Sequence, residues 1–565
     1  MVTMSGILLT NVDLHSQDVG ATCGFNASAR SSTGGTYNHS LFKSHGVEAD
    51  WWDDMVEEIS YSGLDYIGPD ARGYSPNHPN TDAGDPHKYA NLCAAMDRRP
   101  LDNTFKVAIF DDNAASWTAN RNLDKGFGYG YNPPFDCGDT SNYRYIWDLD
   151  LKICVQNTPD EKRYKLKNRM VMIFWSVNSP FCTNQGNGHI KAIALMIRKR
   201  CMADFGFNPY IVADQSWVQQ DPACNDTNVI DAVQSWFGAP VTSMTLTNFF
   251  GTKFGAFCPG FWYVGSGAYM NPNHGQLLIN NLTKTVGAGA ISTLGEGFSD
   301  EEEACALWRS DDSVYYDYPN QRPNILRRFS KKAWADNFKV EAEGCDYFSG
   351  LTSGTGTYRN GTINIIKCAD TNLGWEVTKT QANAWLEWKE LPLPAQTKLT
   401  LRYSSSAASS ISFSVDGAAL STVNLPSTSG TWATVDAGAY SAASRGLHTV
   451  RLTVVSGSPD LNYFNIVNAG PSAVNPSRGA FIEHQAGNAA GMFISDGLNA
   501  PAIRIRPEKT ARYRLEIFDM SGRALFSREF PVDPQTRLLP LPRLSAGACI
   551  WRLTEGQRVV AHGQP

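Results

Sequence analysis

No stretch of about 18 consecutive apolar residues occurs in the chain, so no membrane-spanning helix is expected. The apolar run near the start, Ile7–Val12, is too short for the hydrophobic region of a secretory signal. Excess positive charge is missing too. The 49 Lys and Arg against 55 Asp and Glu leave a net charge of -6, and no basic stripe is available to neutralise phosphates. A nucleic-acid partner is therefore not expected. The 12 cysteines form no C-x-x-C pair, which excludes a zinc ribbon or a thioredoxin-like motif. Cys345 and Cys368 are close enough in sequence to be candidates for pairing. The G-x-S-x-G nucleophile elbow is absent, and no His, Asp and Glu are spaced as zinc or di-metal ligands. Any chemistry must be sought elsewhere.

What is present is enough for several domains, since 565 residues exceed the ~250–300 that one core serves. Residues 1–335 alternate apolar runs with helix-like segments. Strands are expected at Ile7–Asp13, Leu64–Asp70, Phe105–Asp112, Arg169–Asn178, Pro209–Trp217, Val233–Gly238, Lys253–Phe261 and Gly289–Gly297. Helices are expected at Val47–Gly63, near 86–99, and at Tyr143–Gln156, Ile190–Gly206 and Gln276–Gly287. The strands are continuous apolar runs, as when both faces are buried. Eight strand–helix units suit a (β/α)8 TIM barrel, with an open doubly wound sheet as the alternative.

Residues 336–469 are rich in Ser, Thr and Val with short alternating strands, the mark of a β-sandwich. Residues 470–490 read as a Pro-, Gly- and Ala-rich linker, and 491–565 as a small β-domain.

Reactive groups of such a barrel lie at the C-terminal strand ends. Those ends offer Asp70 with Arg72 beyond it, Asp111 and Asp112, Trp175 and Asn178, Asp214 followed by Trp217, then Trp236, and finally Glu296. Paired carboxyl groups are what glycosidic hydrolysis requires: one protonates the leaving oxygen, the other attacks or activates water. Tryptophans supply platforms for sugar rings. Alternation along a strand sends only one of Asp111 and Asp112 into the site. Asp300, Glu301, Glu302 and Glu303 read as the acidic opening of a helix. Trp51 and Trp52 read as core, and His15 and His274 as structural groups.

The runs WWDDMVEEISYSGLDYIGPDARGYSP, IFDDNAASWTAN, FGAFCPGF and GAISTLGEGFSDEEEACALWRS resemble a largely uncharacterised family of secreted bacterial proteins, distantly similar to endo-mannosidase-type barrels. In those barrels the eighth strand carries N-E-W-x-E-G. The resemblance gives Glu296 the acid role and puts Thr293 where the other glutamate would stand. The partner carboxylate then comes from Asp111 or Asp112, with Asp70 and Asp214 behind them.

Residues 340–468 contain VEAEGCDYFSG, NAWLEWKELPLP, GLHTVRL and LNYFNIVN in order, and resemble a family-six-type carbohydrate-binding module of jelly-roll fold. The resemblance implies a glycan site with Trp375, Trp432 and Asp460, and a structural calcium held by Glu341 and Glu343. Asn462 replaces the closing acid of that ion site. The tail, with YRLEIFDMSGRALFSREF and GACIWRL, resembles the C-terminal sorting modules of Bacteroidetes and Fibrobacter-type proteins, which implies a bacterial cell-surface or secreted location and a contact with export machinery.

Together these readings describe a multidomain secreted glycoside hydrolase acting on a plant cell-wall polysaccharide, β-glucan such as cellulose or xylan, with no cofactor for catalysis. The alternative is a non-catalytic polysaccharide-binding protein with a degenerate barrel, for which Thr293 speaks. A carbohydrate esterase lacks both a serine elbow and a metal constellation.

Overall fold

The computed structural model describes residues 18–24, 38–42, 48–78, 84–236, 246–263, 268–312, 316–330, 337–354 and 358–470, together with strands of the C-terminal stretch. The chain forms two compact units, Met1–Ser472 and Ala473–Pro565. The expected strand Ile7–Asp13, His15 and nearly all of the expected linker lie outside the described residues.

The first unit begins with eight parallel strands: β1 Asp18–Cys23, β2 Tyr66–Ala71, β3 Ile109–Asp111, β4 Arg169–Phe174, β5 Tyr210–Asp214, β6 Ala232–Gln234, β7 Thr252–Phe257 and β8 Ser292–Gly295. They hydrogen-bond in the order β6-β5-β4-β3-β2-β1-β8-β7. The first strand among the described residues is Asp18–Cys23. Helices α1 Glu48–Ser62, α2 Tyr89–Arg98, α3 His189–Phe205, α4 Gln276–Thr285 and α5 Gln321–Phe329 connect or follow the strands. α3 ends at Gly206, whose φ of 74° closes it as a left-handed cap that favours glycine.

The result is a nearly closed barrel on a mixed sheet, which meets the expected barrel in part. Thr247–Phe249 adds antiparallel to β7, and Lys165–Leu166 antiparallel to β4. Among the described residues no helix lies between β6 and β7, and no ladder joins them. The described residues just before β7 form a hairpin, Thr247–Phe249 turning back into β7.

Tyr66, Phe110, Ile173, Val212, Phe254 and Leu294 belong to one buried cluster that takes side chains from strands all around the sheet, so it fills the barrel interior. Its floor is polar. The Tyr164 hydroxyl donates to Asp18 (2.8 Å) and lies 3.1 Å from the Ser292 hydroxyl, and Tyr66 donates to the Thr293 carbonyl (3.0 Å). The two tyrosine rings stack at 4.0 Å. Gly20 leaves room for them, since a Cβ there would fall 2.3 Å from the Tyr66 ring.

The second part of this unit is a β-sandwich. Its strands are β9 Asn337–Glu341, β10 Tyr347–Ser349, β11 Asn364–Lys367, β12 Trp375–Thr378, β13 Trp385–Leu393, β14 Gln396–Ser404, β15 Ser409–Val415, β16 Ala418–Leu425, β17 Trp432–Ser441, β18 Gly446–Ser456 and β19 Asp460–Asn468. One sheet runs β11-β12-β19-β14-β17, with β9 on β19; the other runs β10-β13-β18-β15-β16. Alternate residues of β14 are buried, as expected for a strand with one face on a core. Trp388 and Phe413 of the second sheet meet Phe464 of the first at 4.9 and 5.2 Å. Cys345 and Cys368 are both buried and free, which corrects their suggested pairing; Cys345 lies by Arg359, and Cys368 accepts from the Asp370 amide.

In the second unit Ala524–Val532, Ala511–Asp519, Cys549–Glu555 and Arg558–Gly563 form an antiparallel sheet in that order.

Candidate functional site

Alternation decides which strand-end residues can meet. Side chains two residues apart share a face, so whatever lies two beyond an interior residue faces the barrel mouth. Phe110 is followed in this way by Asp112, Ile173 by Trp175, Val212 by Asp214, Ala232 by Gln234 and Leu294 by Glu296. On β2, Tyr66 leads through Gly68 to Asp70.

Glu296 is the most unusual of these groups. It is only 8% exposed, and its Oε2 has no hydrogen-bond partner. Burial first, and then the charges of Glu303, Asp300, Asp70 and Asp112, hold its carboxyl well above the ordinary carboxylate range. Asp112 is pushed up to about 7, by burial first and then by Asp70, against the pull of Arg72. Its Oδ1 is also unpartnered. Asp70 is half-buried and accepts from Arg72 Nε at 2.8 Å. One mouth therefore gathers a proton-retaining carboxyl group, a second that titrates near neutrality, and a carboxylate–guanidinium pair.

Asp111 faces the other way. It is fully buried, accepts from Trp117 Nε1 at 2.9 Å and from the Ser116 hydroxyl, and lies against Asp150. This makes it a structural group rather than a catalytic one. Asp111→Ala is expected to lower stability by about 1–3 kcal/mol by stranding those buried donors. Asp112→Asn is expected to leave the melting temperature nearly unchanged and to remove activity; thermal melts beside rate measurements separate the two.

Asp214 points inward, yet its oxygens accept from the backbone amides of Ser216 (2.9 Å) and Trp236 (3.2 Å), so it shapes the loop after β5. Trp217 is fully buried and donates to the Trp175 carbonyl at 3.0 Å, which removes it from the sugar-binding set. Trp175 and Trp236 remain partly open; Trp236 stacks on Phe110 at 5.4 Å. Asn178 is half-buried and accepts from the Gln220 amide at 2.9 Å. Thr293 lies one residue before Leu294, faces away from the mouth and sits beside Gly255 and Thr285. A glutamate at this position would not reach the site, so Thr293 gives no sign of a lost catalytic group.

Two inward groups carry no clear sequence signal. Gln234 is fully buried and both atoms of its amide lack partners; only its place at a strand end marks it. Glu303 lies not in the opening of a helix but in a turn, Glu301–Ala304. Within it Glu296, Asp300, Glu303 and Cys305 offer atoms within 4.8 Å of one another. Burial, then Asp300, pushes Glu303 up to about 8.

On the sandwich, Trp375 is half-buried and its indole donates to Asp54 of α1 at 2.6 Å, so α1 covers this expected sugar-stacking ring. Trp432 and Asp460 both pair with Ser404 across the sheet, which sets them in one row, and both are partly exposed.

Residues 15–347 match the model of a domain of unknown function, DUF5010, which is more than half of the chain. The chain belongs to the DUF5010 family. Residues 359–466 match a carbohydrate-binding module of family 35, so the DUF5010 domain is followed by a carbohydrate-binding module. Among solved structures, similar chains include the C-terminal CBM6 of LamC, a marine laminarinase from Zobellia galactanivorans. It is 20% identical, covers 23% of this chain and 99% of its own, and has a TM-score of 0.20. The CBM6 of Cellvibrio mixtus lichenase 5A, in complex with cellotriose, is 23% identical over 23% of this chain and 95% of its own, with a TM-score of 0.19. An arabinoxylan arabinofuranohydrolase from Bacillus subtilis is 21% identical over 23% of this chain and 27% of its own, with a TM-score of 0.19. Likenesses of this size say nothing about a shared ligand. A comparison with curated proteins finds no match. The matches support neither the mannosidase-type likeness of the barrel nor the sorting-type likeness of the tail.

The DUF5010 domain and its module meet through buried charge. Arg99 Nη2 lies 2.5 Å from Glu57 and 2.8 Å from Asp102; Arg309 Nη2 lies 2.8 Å from Glu57 and 2.5 Å from Glu58. From β9, Lys339 reaches Asp102 at 2.7 Å and also pairs with Glu341. Glu343 is fully buried with both oxygens unpartnered, and burial holds its carboxyl well above the ordinary range. Burial would raise Glu57 as well, but Arg99, Arg309 and Lys339 hold it below its usual value. Glu57, Glu341 and Glu343 offer oxygens within 4.8 Å of one another. The expected calcium ligands therefore lie at the junction of the two parts.

Proposed function

We propose that the DUF5010 domain is a glycoside hydrolase of (β/α)8 type, with Glu296 as general acid and Asp112 as base or nucleophile. The carrying observation is Glu296 itself: a buried carboxyl with an unpartnered oxygen, kept protonated by burial and by neighbouring acids, and facing a second inward carboxyl. A group that retains its proton near neutral pH can deliver it to a leaving glycosidic oxygen. Asp112 lies close enough to influence its charge, and Arg72 with Asp70 borders both. Trp175 and Trp236 supply rings. The module would hold the enzyme on its polymer through the row containing Trp432 and Asp460, raising local substrate concentration. The substrate is a plant cell-wall β-glucan or xylan, and the location is extracytoplasmic. New reducing ends from one member of a panel of glucans, xylans and mannans support this reading. Firm pull-down on a polymer with no products would favour a non-catalytic binder, and acetate release an esterase.

A structural calcium fits the junction. Its donors would be carboxylate oxygens of Glu341 and Glu343 with Glu57 from the DUF5010 domain; Glu341 Oε2 and both Glu343 oxygens lack partners, and such donors suit a hard cation. Calcium is expected to raise the melting temperature by a few degrees and chelator to reverse it. An unchanged melt under both conditions removes the ion.

A further inference from the structure

Between β3 and β4 the chain reads Gly126-Phe127-Gly128-Tyr129-Gly130-Tyr131, an aromatic residue at every second position. Phe127, Tyr129 and Tyr131 are 62%, 55% and 42% exposed. Exposed rings in a row are costly on a free surface and mark a contact site. This loop is not loose. Buried Arg121 donates to the Pro133 carbonyl (2.5 Å) and the Pro134 carbonyl (3.2 Å), and buried Asn122 donates to the carbonyls of Gly130 (2.7 Å) and Pro133 (3.0 Å). The Phe127 amide returns to the Asn122 carbonyl at 2.8 Å. Gly126 and Gly128 have φ of 83° and 84°, and an added Cβ would meet nothing within 4 Å at either. These glycines serve the backbone path that presents the rings rather than making room for neighbours. Two buried polar side chains thus brace the loop that carries the rings.

The rings connect to the barrel mouth. Tyr131 meets Phe181 edge-on at 4.8 Å, and Phe181 meets Trp175 at 5.3 Å. Trp175 is the inward residue at the end of β4. The aromatic surface therefore runs from the exposed loop to the row that holds Asp112 and Glu296.

We propose that Phe127, Tyr129 and Tyr131, continued by Phe181 and Trp175, form a platform for successive rings of a neutral polysaccharide chain, leading it to the acids at the barrel mouth. This rests on the reading of the mouth as a glycan-cleaving site. Ring faces stack on the C–H faces of sugars, and phenol hydroxyls at the edges serve sugar hydroxyls. The charge around the mouth decides against an acidic glycan. Asp70, Asp112, Glu296 and Glu303 gather there, while Arg72 is already paired with Asp70. A uronate or sulfated chain would bring its charge to a mouth where Glu296 and Glu303 hold their protons and Arg72 is already paired.

The test measures binding in the full chain carrying Glu296→Gln, so that turnover cannot consume the ligand. Gluco-, xylo- and manno-oligosaccharides of increasing length are titrated beside oligogalacturonate. Affinity for one neutral series is expected to rise with length. Tyr129→Ser and Tyr131→Ser should each weaken it by about five- to tenfold, and the triple variant with Phe127→Ser by more. The module contributes equally to every variant, so differences report the loop. Should the triple variant melt early, Tyr129→Phe against Tyr129→Ser reads the ring alone, and Phe is expected to retain most affinity. Unchanged affinity in a folded triple variant overturns the platform even if the wild type cleaves its polymer, in which case the proposed hydrolase stands. Tighter binding of oligogalacturonate, or no binding of any neutral series, also overturns it. Loss of affinity in the loop variants supports the platform even if no cleavage is found.

Discussion

The Glu296→Gln protein is expected to release reducing ends at least about a hundredfold more slowly than the wild type, with its affinity for the polymer kept. Glutamine has the size and neutrality of a protonated glutamic acid but no proton to give. Because Glu296 is held in its neutral form by burial and surrounding acids, the exchange leaves the charge of the site unchanged near neutral pH. The loss should therefore fall on kcat rather than on binding. The pH profile carries a second signature. A general acid works only while protonated, so the rate falls as pH rises through its folded value. Glu303 stands beside Glu296 and titrates with it, and the two groups lose protons as a pair. Glu303→Gln lets Glu296 ionise without a negative neighbour, which lowers its pKa and moves the alkaline limb of kcat/KM to lower pH. A Glu296→Gln protein with the wild-type rate would end the acid assignment, and an unmoved alkaline limb in Glu303→Gln would remove Glu303 from the electrostatics of the site.

Seven of the eight parallel strands were legible in the sequence because each is a continuous apolar run, buried on both faces. Asp18–Cys23 was missed, and so was the hairpin that leads into β7, because a hairpin carries no periodicity that separates it from a weak strand–helix unit. The strand ends nominated Asp70, Asp112, Trp175 and Glu296, and the strand registers turn these four toward the mouth. Choosing Asp112 over Asp111 needed the register of β3, which depends on its neighbours and not on its own residues. Groups that act through space were illegible. Glu303 comes to Glu296 through a turn, and Asp54 meets Trp375 across 321 residues of chain. The same holds for the ion pairs at the junction. Glu57 and Glu58 look like the polar stripe of an amphipathic helix until β9 and the segment around Arg309 are laid against them.

Arg309→Met is expected to destabilise the first unit by about 3–5 kcal/mol, the cost of leaving buried carboxylates without their partner. Arg309 is 1% exposed; it donates to Glu57 at 2.8 Å and to Glu58 at 2.5 Å, and its backbone amide serves Glu58 at 3.1 Å. Four carboxylates (Glu57, Glu58, Asp102 and Glu341) already share three cations (Arg99, Arg309 and Lys339), and removal of one leaves two. Burial holds Glu58 at about 7 even with Arg309 present, and without Arg309 both Glu57 and Glu58 would bind protons more tightly than they do in the wild type. A group with a raised folded pKa costs stability as pH climbs from its unfolded value to its folded one. The deficit of Arg309→Met should therefore be largest above about pH 7 and shrink toward pH 5. Adding Glu57→Gln and Glu58→Gln should recover much of the loss, because the penalty belongs to the stranded charges and not to the missing arginine. The match to DUF5010 runs to residue 347, past Lys339, Glu341 and Glu343, so the charged strand of the sandwich falls within the same family span as the helix it pairs with. The barrel and module are accordingly expected to melt in one transition in the wild type and to separate into two in Arg309→Met. A variant that melts within a degree of the wild type at pH 8, in one step, would mean that the junction is held by its apolar contacts alone and that the buried charges are not its lock.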